Sequence, residues 1–342
     1  MRLRLRRRPA AIFLAAILAC TTAAASAAPA SGRPSGHGAL ITCRTQQAPA
    51  GTSYLVSIDP VTGANRRLTS AAMGNVCFPA VSPDGKLIAV TKTARIQRQV
   101  APYELHTLRR DGTGERLVYR SPDAQHYLTG APSFGPGGTL IFSLMSYVDG
   151  TPTVYSARLD GSHLTRLNLG VSNSVAISGT PQFSPDGKTL AFIGDNTIWV
   201  KKGSAAATQL PDYAGRHGSH FPTFTGQLSW SPESGRLLAT ASTDGGNDGG
   251  FIEYDLAARQ WQQLTAVPRA GNGVLPGYGD PAFSPDGRKV AFVERIGSAI
   301  GAAWGSEKPG EEFIDTMDPA VPGIVARTAK IPGDYIGLAW QP

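Results

Sequence analysis

From about residue 38 onward the chain alternates short apolar runs with turn residues. Leu87–Thr91, Leu140–Ser143, Leu190–Ile193, Leu237–Ala241 and Val290–Val293 are each four or five residues long. Runs this short, bounded by Gly, Pro, Asp and Ser, predict β-strands rather than helices. Pairs of such runs recur further along: 54–59 with 67–69, 154–159 with 164–167, and 251–256 with 262–264. They predict a second hairpin in each unit, and so four short strands per unit.

The segment before each first run repeats. It reads Pro-Ala-Val-Ser-Pro-Asp-Gly-Lys at 79–86, Pro-Gln-Phe-Ser-Pro-Asp-Gly-Lys at 181–188 and Pro-Ala-Phe-Ser-Pro-Asp-Gly-Arg at 281–288. Degenerate copies stand at 132–139 and 228–235. The physical logic is local. An apolar residue packs, Pro ends the strand because it has no N–H for the ladder, and Asp-Gly supplies the turn.

The packing positions are Val81, Phe134, Phe183, Trp230, Phe283 and Trp340, spaced 53, 49, 47, 53 and 57 apart. These intervals are somewhat longer than the about 40–45 residues of a WD-type repeat. The sixth unit stops at Pro342 after one strand, while residues 38–42, 54–59 and 67–69 supply three strands at the other end. The expected fold is therefore all-β: a six-bladed β-propeller whose C-terminal strand pairs with N-terminal strands to close the ring. Closure removes sheet edges that would otherwise invite aggregation. Five matching turns argue against an open sandwich with chance repeats.

The Ser-Pro-Asp-Gly units, with Arg-Leu-Thr ending a blade at 67–69, resemble the propeller repeats of TolB and its relatives over residues 38–342. The resemblance implies the propeller fold. The N-terminal α/β domain of TolB has no counterpart expected here. Related propellers also stand beside a hydrolase domain in the prolyl oligopeptidase family, for which this sequence leaves no room. Others resemble the catalytic domains of pectin-degrading lyases.

The first residues, Met-Arg-Leu-Arg-Leu-Arg-Arg-Arg, precede an apolar run from Pro9 to Cys20. Basic, apolar and small-residue segments in that order are a secretory signal. The apolar run is shorter than the about 20 residues that span a bilayer. Cleavage after Ala27 makes residues 1–27 a signal and 28–37 a linker. Alternatively, Ile17-Leu18-Ala19-Cys20 resembles a lipobox, with Cys20 lipidated as an anchor. Either reading places the protein outside the cytoplasm, in the periplasm, cell envelope or extracellular space. The net charge of +7 falls by five when Arg2, Arg4, Arg6, Arg7 and Arg8 leave. Basic residues between Lys86 and Arg120 are interspersed with acids, so no nucleic-acid partner is expected.

The repeat register places Cys43 and Cys77 on one face in neighbouring blades. Two readings stand, a Cys43–Cys77 disulfide, which an oxidising compartment permits, or two buried thiols. Loops on the face opposite the Ser-Pro-Asp-Gly turns are the expected binding surface, because loops carry function on rigid scaffolds. The candidates are His126, Tyr127, His217, His220, Tyr278, Asp280, Asp334 and Tyr335. Their convergence at the channel mouth would make a pocket. His217 and His220 lack an identifiable third metal ligand, and no cofactor or metal is expected. The sequence has no Gly-x-Ser-x-Gly elbow and no His-Glu-x-x-His. The long 294–312 segment reads as a lid, a partner loop or a loose hairpin tip. The expected function is non-catalytic binding of an envelope or extracellular protein or glycan, by a monomer. The alternative is a polysaccharide lyase or hydrolase at the channel mouth.

Overall fold

The alternating runs form strands, and the strands form six four-stranded antiparallel sheets. A computed structural model describes residues 38–46, 52–93, 95–96, 99–100, 103–123, 125–148, 150, 152–172, 174–213, 223–242, 249–265, 277–296, 311–322, 325–326 and 334–342. Blade 1 comprises Asn75–Val81, Leu87–Thr93, Glu104–Arg109 and Arg116–Arg120. Blade 2 comprises His126–Gly135, Thr139–Ser146, Pro152–Arg158 and Thr165–Arg166. Blade 3 comprises Ile177–Phe183, Thr189–Gly194, Thr197–Lys202 and Thr208–Gln209. Blade 4 comprises Thr223–Trp230, Arg236–Ser242, Gly250–Asp255 and Gln260–Gln263. Blade 5 comprises Gly277–Phe283, Val290–Ile296, Glu311–Met317 and Val325–Ala326.

The closing blade joins the chain ends. Its inner strand is Asp334–Gln341, followed outward by Ala39–Gln46, Thr52–Ile58 and Asn65–Arg67. Ala39 pairs with Gln341 and Leu40 with Trp340. The inner strands of successive blades pack against one another all the way round. Six apolar clusters fill the six joints between neighbouring blades. The joint between blade 5 and the closing blade holds Trp340, Tyr335, Val293 and Ile314. Each sheet thus hides both faces, which explains the mostly apolar second strands.

The Ser-Pro-Asp-Gly unit builds the same turn three times. At blade 1, the Gly85 N–H donates to the Ser82 carbonyl at 2.8 Å, so Pro83 and Asp84 are the central residues. Gly85 follows in the left-handed region, φ 68°, which glycine adopts without a side-chain clash. The turn is therefore centred one residue earlier than an Asp-Gly turn would be. Asp84 Oδ1 accepts from Ser82 Oγ at 2.7 Å and from Lys86 N–H at 3.1 Å. Ser184–Asp186 and Ser284–Asp286 repeat the hydroxyl–carboxylate bond, each at 2.6 Å. At the degenerate copy Ser234 takes the left-handed position, φ 62°.

Every inner strand carries a β-bulge near its middle, a device that bends a strand and re-aims its side chains. In blades 1 and 5 and the closing blade the inner strand has one extra residue, as between Cys77 and Ala80. In blades 2, 3 and 4 it has two, as between Thr129 and Ser133. Phe78 and Asp280 hold the left-handed bulge position with φ 52° and 53°. Cys43 of the closing blade and Cys77 of blade 1 are joined by a disulfide, with Cα atoms 5.0 Å apart. Among the described residues no helix is long and apolar enough to cross a membrane.

Candidate functional site

Two faces follow from the topology. The Ser-Pro-Asp-Gly turns define the turn face. The connections into the inner strands, and those from second to third strands, define the loop face. Inner strands line a channel, and a cavity of about 360 Å³ lies toward the turn face. Its walls include Pro83, Phe134, Phe183, Trp230, Phe283 and Trp340. Among the described candidate residues, His126, Tyr127, Tyr278, Asp280 and Tyr335 do not line this cavity. The strands bring proline rings and backbone there instead. Two of its hydroxyls are already used: Ser133 Oγ accepts from Phe183 N–H at 3.2 Å and Ser229 Oγ from Phe283 N–H at 3.3 Å.

The described candidates separate into three groups. Tyr278 and Tyr335 are joint-packing residues rather than presented ones. Tyr278 sits edge-on to Phe292, centroids 5.2 Å apart. Tyr335 is 1% exposed, and burial pushes its phenol up to about 12. Alternation and bulging turn both rings into the joints. Asp280 belongs to a polar latch between blade 5 and the closing blade. Its carboxylate accepts from Gly337 N–H at 3.2 Å and lies 3.5 Å from Arg295. Arg295 Nε in turn donates to Glu312 at 2.9 Å, and Glu312 accepts the Tyr335 N–H at 2.6 Å. A half-buried latch of this kind fixes the angle between blades, because breaking one partner leaves the other charge poorly solvated. Asp334 begins the inner strand of the closing blade; its side chain, like His217 and His220, lies outside the described residues, as do Cys20 and residues 297–310 of the long segment.

His126 and Tyr127 begin the inner strand of blade 2 on the loop face. His126 Nδ1 lies 2.7 Å from Asp123 Oδ1. That hydrogen bond outweighs the opposing effect of burial and, with one from the Gln125 N–H, holds the Asp123 carboxyl below its usual range. Tyr127 stacks on Tyr147 at 4.2 Å between centroids, with planes 27° apart. Tyr103 of the neighbouring blade lies 6.1 Å from Tyr127, and its hydroxyl is 3.4 Å from that of Tyr147. Burial and the neighbouring Tyr147 raise the Tyr127 phenol. Tyr103 and Tyr147 escaped the sequence reading. Their signal was their position, at the start of a third strand and just past the end of a second.

A second polar cluster lies inside blade 1. His106 is 6% exposed, with Nε2 2.8 Å from Glu104 Oε2. Its Nδ1 lies 3.1 Å from Glu115 without hydrogen-bond alignment. Arg120 and Lys92 pair with the two glutamates at 2.6 and 2.8 Å. Burial pushes the Glu104 carboxyl up, yet hydrogen bonds from His106 and Arg120 win and hold it low. His106 is the enclosed member, and the Glu104–Arg120 pair ties the third strand to the outer one. Among the described residues no group of three or more His, Cys, Asp or Glu is placed to hold a metal ion.

No family model matches the chain. A stretch of 173 residues is 31% identical to a TolB homolog of Chlorobium chlorochromatii (strain CaD3), covering 51% of this chain and 34% of that protein. A stretch of 215 residues is 26% identical to the uncharacterized peptidase YuxL of Bacillus subtilis (strain 168), covering 54% of this chain and 31% of that protein. The matches span about a third of the length of each curated relative. Among solved structures, Kuenenia stuttgartiensis hydrazine synthase matches with TM-score 0.60 and 14% identity, covering 90% of this chain and 47% of that one. A chain of a nidogen/laminin complex matches with TM-score 0.57 and 10% identity, covering 89% and 98%. At such identities these structures speak to the fold alone. With six four-stranded sheets closed into a ring and a 173-residue stretch similar to a TolB homolog, the chain is a six-bladed β-propeller that resembles TolB-like propellers.

Proposed function

We propose that this propeller is an exported, non-catalytic binding module that engages a protein or glycan of the cell envelope or extracellular space through its loop face. The observation that carries the reading is the surface at Tyr103, Tyr127 and Tyr147. Tyr147 is 56% exposed and Val148, beside it, 81%. Aromatic side chains with an apolar body and a wet hydroxyl are enriched at interfaces. A contiguous apolar surface of this kind marks an interaction site more often than scattered exposed residues do. The basic-apolar start of the sequence supports export, and the TolB homolog supports an envelope setting.

The test is a photo-crosslinking residue placed at one face or the other. Asp195, in an exposed turn of the loop face, is compared with Lys188 on the turn face. Adducts in envelope or culture fractions are expected from Asp195 and not from Lys188. Equal labelling, or labelling from Lys188 alone, overturns the assignment. The relation to a protein named as a peptidase favours a second, hydrolytic reading. Turnover of peptide or pectin substrates by the purified protein would establish it in place of binding.

A further inference from the structure

The tyrosine cluster has a chemistry more specific than a generic sticky patch. Tyr127 stacks on the Tyr147 ring, and Tyr147 remains 56% exposed. Among the described residues no other aromatic side chain is as exposed. The Tyr103 and Tyr147 hydroxyls, 3.4 Å apart, form a polar edge contributed by two blades. On the same loop face, Asp123 uses Oδ1 for His126 and for the Gln125 N–H. The Asp123 and His126 side chains remain 50% and 34% exposed.

A flat aromatic face beside paired hydroxyls matches one kind of partner closely. The C–H-rich face of a pyranose ring stacks on an aromatic ring, and its adjacent hydroxyls exchange hydrogen bonds with groups spaced as these two are. The exposed Asp123 carboxylate, two residues before the Gln125 carbonyl that accepts the Tyr147 N–H, disfavours an anionic sugar. We propose that the Tyr103–Tyr127–Tyr147 cluster binds a neutral sugar ring of a glycan chain, with Tyr147 as the stacking platform and the Tyr103 and Tyr147 hydroxyls orienting it. This rests on the reading of the loop face as the binding surface. It explains why positions 103 and 147 carry tyrosine where phenylalanine would pack equally well, since their two hydroxyls meet, while the Tyr127 hydroxyl donates to Met145 Sδ.

The purified full chain is titrated calorimetrically with cellohexaose and chitohexaose, two neutral hexasaccharides that differ at the 2-position. Binding of at least one is expected. Tyr147→Ala weakens it by about tenfold or more, and Tyr147→Phe, which keeps the ring and loses the hydroxyl, by about threefold. Circular dichroism of both variants confirms that they are folded. Binding of neither sugar, or binding unchanged in Tyr147→Ala, overturns the proposal. Tyr147-dependent binding of a proline-rich peptide without sugar binding also overturns it, in favour of a protein partner. Loop-face adducts from Asp195 that persist in those cases would leave the broader reading standing.

Discussion

The two faces of the ring use the same residue types for opposite ends. On the turn face, Asp84, Asp186 and Asp286 occupy equivalent positions and make equivalent bonds to a serine hydroxyl and a backbone N–H. On the loop side, Asp123 caps a loop and orients His126, whereas Asp280 joins two blades through Gly337 and Arg295. A carboxylate that recurs with the repeat holds up each blade. One that departs from the repeat has a job peculiar to its place. The same holds for aromatics: Phe134, Phe183, Trp230, Phe283 and Trp340 recur around the channel, while the tyrosine cluster occurs at a single joint.

The sharpest way to break this contrast is to open the ring. Deleting Leu338–Pro342 removes the second half of the inner closing strand, including Trp340, and the Pro342 ring that packs against Gly85. The loss should exceed the about 3–5 kcal/mol of truncating a buried Trp alone. Chemical denaturation should show the whole ring destabilised, and an unchanged midpoint would contradict closure.

The next largest effect concerns the joint between the closing blade and blade 1. Replacing Cys43 and Cys77 by alanine together should cost about 2–4 kcal/mol in denaturant titrations. Thiol titration of denatured, unreduced protein should find neither cysteine free. Two free thiols would show that packing alone holds the joint.

Acid should test the turn face in particular. Hydrogen bonds from Ser82 and Lys86 lower the Asp84 carboxyl from 3.8 to about 2. Asp186 and Asp286 are lowered for the same reason, their serine partners first. A depressed carboxylate contributes stability that is full above its unfolded pKa and lost as pH falls through the folded one. The melting temperature should therefore drop as pH falls from about 4 toward 2. Replacing Asp84, Asp186 and Asp286 together by asparagine should flatten that drop. An identical acid profile in the triple variant would move the effect elsewhere.

The smallest expected effect on stability is the most informative about function. Tyr147→Ala should cost less than about 1 kcal/mol, because exposed positions contribute little to folding. Loss of sugar binding without loss of stability would separate loop-face chemistry from the framework beneath it. A large drop in melting temperature would make Tyr147 part of that framework.

Much of the architecture was legible in the sequence because it is locally encoded and repeated. Strand, turn and period depend on residues within a few positions, and six approximate copies average out the exceptions. Ser234 shows the tolerance, since it fills a glycine's left-handed position and the turn still forms. The site was only partly legible. His126 and Tyr127 do stand on the loop face, but Tyr278 and Tyr335 point into joints, where the bulges and strand alternation turn them.

The sequence by itself determined six units, the four-strand blade and closure by the last strand, since hydrophobic period and turn chemistry specify these. Only the tertiary structure decided what meets across a joint. Tyr103 and Tyr147 are 44 residues apart and belong to different blades, and their hydroxyls come within 3.4 Å. It also decided that the cavity lies toward the turn face and that some inner strands bulge by one residue and others by two. These features depend on how twisted sheets pack around a closed ring. That packing is set by the balance of many contacts between blades, which no local pattern encodes.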